Sequence, residues 1–96
     1  MSCTRVKVKY LSPYFRDFTR VEEETVVVEA GSTVRDVLVK LSEKHGEYLL
    51  TLLLDDTGKE LRGGVLVFLN NKVVQSLDSN VEDGDSVAIT IAADGG

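Results

Sequence analysis

The sequence predicts an α+β domain in two layers, with one main amphipathic helix packed on one face of a sheet. Three observations lead there. Arg5–Tyr10 and Val87–Ile91 alternate apolar and polar or small residues with a period of two, as half-buried strands do. Val34, Val37, Leu38 and Leu41 recur at i, i+3, i+4, i+7 and give a single helical stripe. Finally, 96 residues make one domain that can bury a single core without disulfides or metals.

In chain order, Val6, Val8 and Tyr10 face one side of the first strand, and Arg5, Lys7 and Lys9 the other. The stretch from Leu11 to Phe18 is too long for a tight hairpin turn, and its Tyr14, Phe15 and Phe18 are expected to cap one end of the core. Glu24–Glu29 is β-branched and predicts a second strand. Ala30-Gly31-Ser32 breaks it, and Thr33 reads as a helix N-cap with Asp36 three residues on, close to a capping box. Gly46 is the expected C-cap, so the helix spans Val34 to His45, where the lone histidine suits the negative end of the helix dipole.

From Tyr48 to Leu54 the leucines are too dense for periodicity to decide, and a short helical turn passing into an edge strand is expected. Asp55–Lys59 turns, and Gly63-Gly64 punctuates again. Val65–Leu69 is a strand, Asn70-Asn71 a two-residue turn suited to positive φ, and Lys72–Val74 the return. A loop over 79–85 leads to the last strand, with Val87, Ile89 and Ile91 pointing one way. On this alternation Lys7, Lys9, Leu66, Phe68, Ala88 and Thr90 share the face opposite the helix. Leu66 and Phe68 are large apolar groups on a side expected to be wet, which marks a partner-binding surface unless the Tyr48–Leu54 connector folds over them.

Composition removes several function classes. The net charge of −5 argues against nucleic acid as the main partner and favours one with a basic docking face. A single histidine and a single cysteine, Cys3, leave no triad, multi-histidine metal site or internal disulfide. The acidic runs over 21–24 and 55–56 read as solvated loops rather than metal ligands, so no metal is expected. No apolar run reaches membrane-spanning length, and the first residues lack the apolar core of a signal peptide, so a cytoplasmic protein without membrane contact is expected. No nucleophile–base pair and no phosphate-cradling glycine loop marks the chain as an enzyme in its own right.

The last six residues, Ile91-Ala92-Ala93-Asp94-Gly95-Gly96, run from a strand into two glycines. Glycines remove every side chain from the final reach, so such an end can thread a slot as narrow as a peptide. Its one reactive group is the α-carboxylate of Gly96, a poor electrophile until activated, for instance by acyl adenylation. The division that follows is a globular domain over 1–91 and a flexible tail over 92–96. The bland alternative is a frayed end.

The order strand, loop, strand, helix, connector, hairpin, loop, strand suits a mixed β-grasp sheet, with its first and last strands side by side in the middle. With Val6–Tyr10 leading to Phe15–Thr19, Gly31–Leu38, Val67–Asn70 and Glu82–Ile89 in order before the diglycine, the chain resembles the MoaD/ThiS ubiquitin-like sulfur carriers. Among these it is most similar to the small subunit of molybdopterin synthase. It departs at Ala92-Ala93-Asp94, where such relatives often carry proline, and its insert over 48–64 exceeds a typical thiamine-type carrier.

What the resemblance implies is chemistry on the chain's own end. A ubiquitin-activating-like enzyme would adenylate Gly96 with ATP and Mg2+, with no cofactor bound tightly to the carrier itself. A sulfur donor would leave a thiocarboxylate there, with Gly95 beside it. The sulfur would pass to a pterin precursor in the large subunit of molybdopterin synthase, and the chain would act as its non-catalytic carrier subunit. Two alternatives stay open: a ubiquitin-like modifier joined through Gly96 to lysines of target proteins, and a β-grasp interaction module whose diglycine is never activated.

Overall fold

The structure, a computed structural model, describes residues 2–92. Its elements are β1 (Cys3–Tyr10), α1 (Pro13–Thr19), β2 (Glu23–Glu29), α2 (Val34–His45), α3 (Tyr48–Leu53), β3 (Val65–Leu69), β4 (Lys72–Val73) and β5 (Ser86–Ile91). The five strands form one sheet in the order β2-β1-β5-β3-β4. β1 and β5 run parallel at its centre, with Val8 beside Val87 and Tyr10 beside Ile89, and the other neighbours are antiparallel. This is the mixed β-grasp sheet expected from the sequence.

The strict alternation of β1 puts Val6, Val8 and Tyr10 in the core and Arg5, Lys7 and Lys9 in solvent. Val34, Val37, Leu38 and Leu41 of α2 meet them there, all fully buried, together with Val67, Val87 and Ile89. Full burial of each such side chain stabilises the fold by about 1.5–3 kcal/mol. The α2 start is a complete capping box. Thr33 Oγ1 accepts from the Asp36 N–H at 3.3 Å, and Asp36 Oδ2 accepts from the Thr33 N–H at 2.9 Å. Aspartate is long enough to close the box, and a cap of this kind is worth about 1 kcal/mol. The turn between β3 and β4 has Asn70 and Asn71 at φ of 51° and 72°, the left-handed pair that a two-residue hairpin of matching twist requires.

Two segments differ from expectation. Leu11–Phe18 is not a loop with three capping aromatics but holds helix α1. The Ser12 side chain accepts from the Tyr14 N–H at 3.2 Å, Pro13 stands at the first helical position, and Arg20 closes the helix in the left-handed region. Phe15 is fully buried and Phe18 packs against the core, whereas Tyr14 is 52% exposed. The dense leucines resolve into helix α3, whose Leu49 and Leu53 enter the core, followed by a single bridge from Leu54 to Leu61 in place of a strand.

Candidate functional site: the open sheet face and the root of the C-terminal segment

The pleat of three neighbouring strands assembles the site. Lys9 stands beside Ala88, and Ala88 beside Phe68, which makes one row across the sheet. Thr90 beside Leu66 makes a second, and Lys7 beside Ser86 a third. All six residues expected on this face are therefore together. Leu66 and Phe68 alternate with the buried Val65 and Val67, which places them on the side away from α2. The connector does not fold over them, because α3 packs against α2 and sends Leu49 and Leu53 to the core side.

Sequence reasoning missed two members of the face. Val27, beside Arg5 on β2, is 45% exposed, and Val73, beside Phe68 on β4, is 52% exposed. The signal was available: in Val26-Val27-Val28 a period of two must turn the middle valine outward. The face thus pairs aliphatic and aromatic groups with the cationic row Arg5, Lys7 and Lys9. Glu23 lies beside Lys9 in the sheet and 3.7 Å from the Lys7 ammonium. Overall acidity had suggested a partner with a basic docking face; this surface is cationic and apolar, and suits an acidic one.

The sheet also fixes where the C-terminal segment departs. Ile91 is the last residue of β5 and pairs with Val65. The Ala92 N–H then donates to the Gly64 carbonyl at 2.6 Å. On the other flank the Leu11 N–H donates to the Ile89 carbonyl at 2.9 Å. The last part of β5 and Ala92 after it are thereby held from both flanks, next to the Thr90–Leu66 row. Gly95 and Gly96, and the tail over 92–96 beyond its first residue, lie outside the described residues.

A second cluster was not foreseen. Glu24, on the core side of edge strand β2, has a side chain only 7% exposed. The Tyr10 hydroxyl donates to its Oε2 at 2.6 Å, and His45 Nε2 lies 2.6 Å from the same oxygen. The Lys44 ammonium stands 2.6 Å from Oε1, as an ion pair rather than an aligned hydrogen bond. Burial alone would push the Glu24 carboxyl up. The Lys44, Tyr10 and His45 contacts more than offset that and hold it below the ordinary glutamate range. Burial, with the Glu24 carboxylate alongside, pushes the Tyr10 phenol well above its ordinary value. His45 therefore has a specific partner beyond the helix dipole, and the cluster ties the end of α2 to β1 and β2.

Among the described residues, no group of three His, Cys, Asp or Glu side chains could hold a metal ion, and Cys3 is exposed without a second thiol. No helix there is long and apolar enough to cross a membrane.

Comparison with known proteins gives this geometry a lineage. No curated protein sequence matches the chain. Solved structures do. A Pyrococcus furiosus protein described as molybdopterin converting factor subunit 1 is 28% identical, with a TM-score of 0.74, covering 94% of this chain and 99% of that chain. A chain of the Amycolatopsis orientalis BexX/CysO complex is also 28% identical, with a TM-score of 0.69, covering 95% and 99%. Small archaeal modifier protein 1 of Haloferax volcanii, at 22% identity, shares the fold with a TM-score of 0.81, covering 94% and 99%. The sequence model of the ThiS family matches residues 11–96, through the diglycine. The chain belongs to the ThiS family.

Proposed function

We propose that this chain is a sulfur carrier for molybdopterin synthesis, with Gly96 as the working residue. In that cycle a ubiquitin-activating-like enzyme docks on the Lys7, Lys9, Leu66, Phe68, Ala88 and Thr90 face. A Gly96 carboxylate oxygen attacks the α-phosphorus of Mg2+-bound ATP, and pyrophosphate leaves. Sulfur at the oxidation level of hydrosulfide then adds to the acyl carbon and AMP leaves, which gives the thiocarboxylate. The large subunit of molybdopterin synthase receives the loaded end, and Gly95 keeps the approach free of side chains. Five residues past β5 reach roughly 17 Å at about 3.3 Å each, enough to enter a buried centre while the globular body stays outside. A narrow passage would also shield the activated acyl group from water.

The observation that supports this reading is the anchored exit of β5 at Ala92, beside an apolar, partly exposed face. The likeness to the Pyrococcus protein supports molybdopterin as the destination, and the BexX/CysO complex supports a partner enzyme. A modifier role through lysines of target proteins is the second reading, favoured by the fold shared with small archaeal modifier protein 1. Intact-mass measurement on protein from its native host decides between them. Replacement of one oxygen by sulfur at Gly96 is expected. Diglycine remnants on lysines of other proteins, with no sulfur on the chain, would give the modifier reading instead.

A further inference from the structure

A separate cluster of carboxylates lies on the helical layer, opposite the sheet face. There α2, α3 and the following turn enclose a groove of ≈ 760 Å³. Its floor is apolar. Leu54 is buried, Leu50 packs on the core, and Val39 is half-buried beside them. Its rim carries Glu43, Glu47, Asp55 and Asp56, and no lysine or arginine lines it. The nearby cations neutralise little. Lys40 stands 3.8 Å from Glu43 and Arg62 3.2 Å from Asp56, both as solvent-exposed pairs. Asp55 is pinned by the Thr57 hydroxyl at 2.6 Å and the Gly58 N–H at 3.1 Å. Those bonds, Thr57 first, hold its carboxyl below the usual range.

We infer that this groove is a second docking site, which takes a cationic amphipathic segment of another protein: one or two aliphatic side chains on the Val39, Leu50 and Leu54 floor, with lysines or arginines against the rim. Charge complementarity selects this occupant, since an apolar floor ringed by four carboxylates repels acidic chains and gives a basic flank its partners. The cationic sheet face is the wrong surface for the same segment. Because the groove lies on the opposite layer, it stays open while that face and the chain end are engaged. It would therefore let the protein be held by one partner and processed by another. The site does not depend on the sulfur-carrier reading. Most of its lining comes from residues 50–58, on α3 and the turn that follows.

The test is an NMR titration of the full chain with a blocked synthetic peptide that carries two leucines four residues apart among lysines. Saturable shifts are expected at the amides of Val39, Gly46, Leu50, Thr51 and Gly58. Affinity should fall about tenfold in the Glu43→Lys/Asp56→Lys double variant and by a smaller factor in Glu43→Gln/Asp56→Asn, and it should weaken with added salt. A peptide with serines in place of the leucines should bind at least tenfold more weakly. Equal binding of the serine peptide, shifts centred on Lys7 and Phe68, no loss on charge reversal, or no binding at all would each overturn the assignment. Removal of Gly95 and Gly96 should leave the titration unchanged, so this site and the sulfur-carrier reading fail or stand separately.

Discussion

Glu24 illustrates how one side chain can decide a local energy balance. A carboxylate this deep is costly unless charged and hydrogen-bonding neighbours compensate it, and here Tyr10, His45 and Lys44 converge on its two oxygens. Its folded pKa lies below the unfolded one, so the native state holds the proton more weakly than the unfolded chain. The stability this provides is complete above the ordinary glutamate pKa of about 4.3 and is lost as pH falls through the lower folded value. Glu24→Gln keeps the shape and removes the titration. In urea denaturation at pH 7 it should cost about 1.5–3 kcal/mol, the range for hydrogen bonds to charged groups. Below pH 4 the gap to wild type should narrow. A gap of constant size across the acid range would show that Glu24 contributes by packing alone.

At the scale of elements, the pleat separates the core side of the sheet from the face proposed for docking. Val65 and Val67 of β3 hold the core, and Leu66 and Phe68 between them are spent on the outer face. Phe68→Asp should therefore keep the melting temperature close to wild type while it weakens binding to the activating enzyme. An aromatic anchor near the centre of an interface is typically worth about 2 kcal/mol or more, so a loss of some thirtyfold is expected by calorimetric titration. Val73→Asp, on the edge strand beside Phe68, should give a smaller loss because it sits at the rim. Unchanged affinity in the Phe68 variant would remove this face from the docking scheme. The elements themselves were unequally legible. α2 carries a strict stripe and explicit caps, so its bounds could be read directly, while the alternation of β1 and β5 located these strands but not their first residues, Cys3 and Ser86. Helix α1 spans only seven residues and shows no repeating stripe, so Ser12-Pro13 was its one signal. In α3 the buried Leu49 and Leu53 are flanked by the part-buried Leu50 and Leu52, which masks the periodicity that would identify a helix.

Over the whole molecule, what could not be read was whatever depends on distant parts of the chain meeting. Glu24 and His45 are 21 residues apart and touch only because the end of α2 returns over β1 and β2. The net charge is likewise a sum, which hid both the cationic row of the sheet face and the acidic rim of the groove on the helical layer. The placement of Lys7, Lys9, Leu66, Phe68, Ala88 and Thr90 on one face was legible, because strand parity and the central pairing of the first and last strands are enough to fix it. The same separation governs the chain end. Among the described residues, every member of the hydrophobic core lies between Val6 and Ile89, and Ile91 is already 38% exposed. Removing Gly95 and Gly96 deletes none of that core and none of the hydrogen bonds that anchor Ala92. The truncated protein should melt within about 1 °C of wild type, since surface changes away from special features stay near ±0.5 kcal/mol. It should nevertheless show no ATP–pyrophosphate exchange when mixed with its activating enzyme. Retained exchange would move the chemistry off Gly96, and a drop of several degrees would make the terminal residues part of the folded body rather than its instrument.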